Sequence, residues 1–148
     1  MPMPDVHEYL IVLNAGSGGQ HADATRERIT TLMAAAGRAC AFAIVDDGSL
    51  IPAIARDAAV QMRECGGALV ACGGDGTINA VAAAALAEDV PLGVIPQGTF
   101  NFFGRAYGIP ADVDEAVALL LGAQPHPAQV GLVNGEVFLV NASLGLYP

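Results

Sequence analysis

The chain alternates short apolar runs with longer segments in which apolar residues recur every three or four positions. Residues 9–14 (YLIVLN) are a compact apolar run closed by a glycine- and serine-rich stretch, the pattern of a buried strand ending in a loop. From Ala24 the period becomes helical, with Ile29, Leu32, Met33 and Ala36 on one face and Gly37 where helices commonly stop. Residues 39–45 (ACAFAIV) predict a second strand, broken by Asp46, Asp47 and Gly48. The next helix runs to Cys65 with Ile51, Ile54, Ala55, Ala58 and Met62 inward; Ser49 is placed to cap it, and Pro52 falls in its tolerant first turn. Residues 67–72 (GALVAC) predict the third strand. Residues 77–87 predict a helix with Ile78, Val81, Ala82, Ala85 and Leu86 inward, and residues 92–95 the fourth strand. An irregular or short helical stretch reaches Gly108. Asp112 then caps a last helix that turns Val113, Ala116, Val117, Leu120 and Leu121 inward.

Regular strand–helix alternation with right-handed crossovers implies an α/β fold, a doubly wound, Rossmann-like, mostly parallel sheet. The tail breaks the rhythm. Two β-type segments, residues 128–133 and 136–142, flank Asn134-Gly135, a pair that favours a tight two-residue hairpin turn. An antiparallel hairpin after parallel units divides the chain into an α/β domain over residues 1–127 and the truncated start of a second, β-rich domain over residues 128–148.

Composition narrows the function classes. Hydrophobic residues make up 53% of the 148 positions and charged residues 14%, which suits a sheet buried on both faces. The formal net charge is −9 and the six basic residues are all arginine. That balance disfavours nucleic acid, and it disfavours electrostatic docking to an anionic membrane, leaving peripheral contact at most. Without lysine there is no lysine-bearing Walker loop, so a phosphate must be held by backbone, hydroxyls, arginine or metal. Cys40, Cys65 and Cys72 lack metal-site spacing and read as small core residues in a reducing cytoplasm. Residues 1–9 do not have the form of a signal peptide, and no apolar run is long enough to cross a bilayer. The expectation is a soluble, cytoplasmic chain.

In a parallel sheet the loops that follow the strands share one edge, and ligands bind along it. Three such loops are rich in glycine and hydroxyls: Asn14-Ala15-Gly16-Ser17-Gly18-Gly19, Gly73-Gly74-Asp75-Gly76-Thr77 and Gly98-Thr99-Phe100-Asn101. Glycine lets peptide N–H groups approach a phosphate closely, and helices starting after the first two loops aim their positive ends at the same place. Each helix-end effect contributes only about 0.3–1 kcal/mol, so several donors must converge. A lone glycine-rich turn between strand and helix is common. Three glycines around an acid at a sheet edge are not, because a carboxylate there needs a metal, water or hydroxyl. Thr77 and Asn79 are also ordinary helix-start residues, and Asn101 is an ordinary turn residue; their case rests on company.

At these residues the chain resembles the diacylglycerol kinase catalytic domain, whose wider superfamily takes in sphingosine kinases, bacterial lipid kinases, NAD kinases and phosphofructokinases. Residues 73–79 (GGDGTIN) resemble its GGDGT(x)N signature, residues 95–101 (IPQGTFN) its second signature, and residues 14–18 (NAGSG) its N-P-x-S-G loop. Arg105 and Gly108-Ile109-Pro110 continue the second match. The resemblance implies an ATP- and Mg²⁺-dependent kinase in two domains, the second supplying a lipid pocket and the base. Asn14, Ser17, Gly18, Gly73, Gly74, Asp75, Gly76, Thr77, Asn79, Gly98, Thr99 and Asn101 would then line the nucleotide site. Asp75 would act near phosphates and metal, Asn101 beside the reacting end, and residues 138–145 would cross into the second domain.

Two positions depart from the family pattern: Ala15 replaces the first loop's proline, and Phe102 replaces the aspartate usual after the second-signature asparagine. The leading reading is phosphorylation of a lipid hydroxyl by the complete enzyme, this segment alone being inactive. An NAD kinase shares GGDG, and a non-catalytic nucleotide-binding or regulatory module accounts for Phe102; both stay open at this point. A second copy pairing through the hairpin is a further possibility. His7, His21 and His126 are isolated and carry no assignment.

Overall fold

The computed structural model describes residues 6–16, 19–122, 131–133 and 136–138. Four strands, β1 (Glu8–Asn14), β2 (Ala39–Val45), β3 (Ala68–Gly73) and β4 (Leu92–Pro96), form one all-parallel sheet in the order β2-β1-β3-β4. Between them run α1 (Gly19–Ala35), α2 (Ile51–Cys65) and α3 (Asp75–Glu88); α4 (Phe102–Tyr107) and α5 (Val113–Gly122) follow β4.

Alternating strand residues face opposite helical layers, as the pleat demands. Tyr9, Ile11, Leu13, Val70 and Ile95 pack with Ala22, Ile29 and Met33 of α1 and with Ala116 and Val117 of α5. Leu10, Val12, Leu69, Ala71 and Val94 pack with Ile51, Ala55, Ala58 and Met62 of α2 and with Ile78, Val81 and Ala85 of α3. Ile11, Val12, Leu69, Val70, Ile78 and Ile95 are fully buried. Each such aliphatic side chain contributes about 1.5–3 kcal/mol of transfer free energy, which is what holds three layers together. The fold is the doubly wound sandwich that the alternation predicts.

Local sequence explains most element ends. Gly37, Gly66 and Gly108 take positive φ just beyond α1, α2 and α4, where a Cβ would be strained. Asp112 accepts the Glu115 backbone N–H at 2.9 Å and so caps α5. Four expectations are corrected. α1 begins at Gly19, five residues before Ala24, because its first turns are mostly polar and carry little apolar period. The cap before α2 is Asp47, not Ser49: its carboxylate accepts both the Ser49 N–H (3.0 Å) and the Ser49 hydroxyl (2.7 Å), opening a single 3₁₀ turn that leads into the helix. Leu86 and Ala36 face solvent, Leu86 being 53% exposed near the end of α3 and Ala36 lying past the end of α1. Cys65 is exposed, whereas Cys40 is half-buried and Cys72 buried.

Beyond α5, β5 (Gly131–Val133) pairs antiparallel with β6 (Glu136–Phe138). The Asn134-Gly135 turn, residues 128–130 and 139–148 lie outside the described residues. Among the described residues no helix is long and apolar enough to cross a membrane.

Candidate functional site

The strand order places the site. From β1 the chain crosses to β2 on one side, then returns past β1 to β3 on the other. The loops leaving β1 and β3 are therefore neighbours whose helices, α1 and α3, diverge to opposite faces. Such a switch point opens a crevice at the carboxyl ends of the strands. The loop leaving β4 borders the β3 loop directly, since β3 and β4 are paired to their last residues, Gly73 with Pro96.

Side chains and backbone stitch these loops together. Asn14, the last residue of β1, donates from its amide to the Thr77 hydroxyl at 3.1 Å, bridging the switch point. Its carbonyl oxygen accepts the Gly16 N–H at 2.9 Å and so turns the chain away from the sheet. Thr77 is buried in the first turn of α3, folded back over β3. A Cβ on Gly73 would stand 2.9 Å from the Thr77 side chain, which is why that position carries none.

The second and third loops touch through bare backbone. The Gln97 N–H donates to the Gly73 carbonyl at 2.8 Å. A Cβ built on Gly98 would come within 2.6 Å of the Gly74 Cα, and one on Gly74 within 3.3 Å of the Gly98 Cα. Gly98 is thus required for this approach and Gly74 fits it closely, and neither needs positive φ. Asn101 does adopt left-handed angles (φ 52, ψ 51), which asparagine tolerates better than most residues. Its side-chain oxygen accepts the Gly98 N–H at 2.8 Å, fixing the turn on itself.

Asp75 has a task that sequence spacing does not announce. Its two carboxylate oxygens accept the backbone N–H groups of Phe102 (2.9 Å) and Phe103 (3.0 Å). First-turn N–H groups lack partners inside their own helix, so an acid from the second loop caps the helix that follows the third. Phe102 stacks on Phe100 with ring centroids 5.4 Å apart, and the Arg105 guanidinium lies 5.1 Å from the Phe102 centroid. Phe100 is 64% exposed and Phe102 41%, so this aromatic step stands at the rim, while Phe103 is buried beside α3. Where the family pattern has an aspartate, the rim has an apolar surface with one cation over it.

Of the residues singled out from sequence, Asn14, Gly73, Gly74, Asp75, Thr77, Gly98 and Asn101 come together in this bonded cluster. Gly76 is exposed in the first turn of α3 with open space around its Cα, Asn79 lies half-buried one turn further on, and Thr99 is exposed on the third loop. Ser17 and Gly18 lie outside the described residues. Among the described residues no group of three or more His, Cys, Asp or Glu side chains is arranged to hold a metal ion by itself. Behind the rim, burial pushes the Cys72 thiol up to about 12, so it stays a protonated core group. The arrangement offers uncapped first-turn amides of α3, side-chain amides, hydroxyls and glycine-lined backbone at one crevice, which is the chemistry of anion binding.

Comparison with known proteins accords with that geometry. Residues 8–133 match the family described as diacylglycerol kinase catalytic domain. Among relatives, a diacylglycerol kinase of Bacillus subtilis (strain 168) is 45% identical over 74 residues, covering 48% of this chain and 24% of its own length. A diacylglycerol kinase of Staphylococcus epidermidis (strain ATCC 35984) is 39% identical over 80 residues, covering 52% of this chain and 25% of its own. A crystal structure of a diacylglycerol kinase from Bacillus anthracis str. Sterne superposes with a TM-score of 0.78 at 24% identity, over 92% of this chain and 47% of that one. The matches thus span about a quarter of the curated relatives and about half of the solved chain.

Proposed function

The chain belongs to the diacylglycerol kinase catalytic domain family, and from that premise we propose that it is the nucleotide-binding part of a lipid kinase, one that transfers the γ-phosphate of MgATP to a lipid hydroxyl. The observation that carries the reading is the convergence at the switch point of the loops leaving β1, β3 and β4, joined by Asn14–Thr77, Gly73–Gln97 and Gly74–Gly98. Phosphoryl transfer asks little covalent chemistry of a protein; it asks for positioning and for stabilisation of charge on the phosphoryl oxygens. The first-turn amides of α3, which begins after an N-cap glycine without a side-chain cap, suit the phosphates of a nucleotide. Gly76, in that same turn, is exposed with open space where a Cβ would stand.

Magnesium fits as a passenger on the nucleotide rather than as a resident of a protein cage, because it keeps several waters and takes only one or two carboxylates alongside substrate phosphates. Bound in that way it would neutralise phosphate charge beside a chain of net charge −9. The lipid pocket and the base belong to the part of such a kinase that this chain does not span. Diacylglycerol or a related lipid is the acceptor that the named relatives favour, ahead of NAD.

Calorimetric titration of MgADP into the folded chain tests the nucleotide reading. Saturable binding, weakened in Asn14→Ala, is the expected result. A folded chain with no heat of binding for either MgADP or MgATP overturns it. Transfer of radiolabelled phosphate from ATP to diacylglycerol by the complete protein, with NAD as the competing acceptor, tests the substrate class.

A further inference from the structure

The carboxylate of Asp75 is committed on both oxygens to a helix that starts 27 positions further along the chain. We infer that Asp75 is a positioning residue: it docks the N-terminus of α4, and with it the third loop, onto the glycine loop that faces the nucleotide, and acts on the ligand through that loop. This deepens the kinase reading and rests on it for the ligand, but not for the α4 contact.

Three observations support the assignment. The bonds to the Phe102 and Phe103 N–H groups are both well formed, at 2.9 and 3.0 Å, and run from the first residue of α3 to the first two of α4. The same two loops meet at Gly98 too closely to admit a Cβ there, 2.6 Å from the Gly74 Cα, so a displacement of one presses on the other. Asn101, the residue before α4, holds left-handed backbone angles and accepts the Gly98 N–H, so the start of α4 and the third loop are tied together and move as one. A carboxylate that caps a helix across loops loses function when its acceptor geometry is lost. A carboxylate that meets a cation loses function when its charge is lost. The two roles separate under substitution.

Asp75→Asn keeps the size and one acceptor oxygen but removes the charge; Asp75→Ala removes both acceptors. If Asp75 works through α4, MgADP affinity falls in steps, by about tenfold for Asp75→Ala and by less for Asp75→Asn, as expected for the loss of two or one charge-assisted bonds. The ratio of ADP affinities with Mg²⁺ and with EDTA stays as in the wild type. Amide hydrogen exchange read by NMR supplies the independent signature. Phe102 and Phe103 are protected in the wild type, both lose protection in Asp75→Ala and at least one does in Asp75→Asn, whereas Val81 inside α3 is unchanged.

Equal loss of affinity in the two variants, with the Mg²⁺ dependence abolished and the Phe102 and Phe103 amides exchanging as before, overturns the proposal in favour of direct contact with the metal. Unprotected Phe102 and Phe103 amides in the wild type overturn it without any variant, so a failure of Asp75→Ala to fold leaves the test intact. If the wild type binds no MgADP, the nucleotide reading falls, while the exchange data still decide whether Asp75 anchors α4.

Discussion

Gly76→Ala separates what the fold needs from what a phosphate would need. Gly76 is the second residue of α3, its φ is not positive, and a Cβ added there meets nothing within 4 Å. For folding, the added methyl is harmless or helpful, since glycine inside a helix costs about 0.5–1 kcal/mol relative to alanine. In the first turn the gain is at the low end of that range. A gain of 1 kcal/mol moves the melting temperature of a domain near this size by about 2–4 °C, so Tm should rise by that amount or less. For binding, phosphates seated on the first-turn amides of α3 would lie beside Gly76, and the added methyl would crowd them. Losing one hydrogen bond to a charged group costs about 1.5–3 kcal/mol. At 1.4 kcal/mol per tenfold, MgADP affinity should drop by roughly 10- to 100-fold. Differential scanning fluorimetry without ligand and calorimetry with MgADP read the two effects on one sample. A variant at least as stable as the wild type that binds MgADP equally well would refute the claim that phosphates sit on the α3 amides. A variant that loses stability would refute the claim that Gly76 is unconstrained.

Gly98→Ala should do the reverse, since its Cβ would stand 2.6 Å from backbone at Gly74; overpacking of this kind costs about 1–3 kcal/mol, and a Tm equal to wild type would contradict it. Asp89→Gly should stabilise by several tenths to about 1 kcal/mol, because Asp89 ends α3 with φ 54 and puts a negative charge at the negative end of the helix; chemical denaturation measures it. A thiol reagent should label exposed Cys65 first, half-buried Cys40 next, and Cys72, whose thiol burial pushes up to about 12, only on unfolding; peptide mass mapping gives the order. The hydrogen bond and charge of Arg28 hold the Asp114 carboxyl below the usual carboxylate range, as the Ser49 hydroxyl and N–H do for Asp47. A depressed folded pKa contributes stability above the unfolded value of about 4 and loses it as pH falls through the folded one. The urea midpoint should therefore drop below about pH 4, and drop less steeply in Asp114→Asn.

Periodicity made the layers legible. The apolar run 39–45 coincides with β2 to the residue, because a β-rich apolar run ended by two aspartates has one reading. The faces of α2 and α5 follow their apolar spacing, with Ala55, Ala58, Ala116 and Val117 buried as the pattern implies. The start of α1 is not legible in the sequence because Gln20, His21 and Asp23 are exposed, and a solvated first turn leaves no apolar trace. Helix capping shows the same division. Asp112 caps locally, three residues before its donor, and can be read from sequence. Asp75 caps a helix far along the chain, and no local spacing reveals that. The clustering of glycines marks these loops, but only the folded arrangement shows that Gly98 has to be small because the Gly74 backbone lies against it.

The junction between Gly74 and Gly98 also bears on how fast a ligand can be taken up. Two turns packed backbone against backbone surrender most of their chain entropy when the protein folds, so little is left to lose at encounter on this side of the site. Capture there should follow a single exponential whose rate climbs linearly with ligand concentration. A slow, concentration-independent step in stopped-flow traces would then have to originate in some other segment.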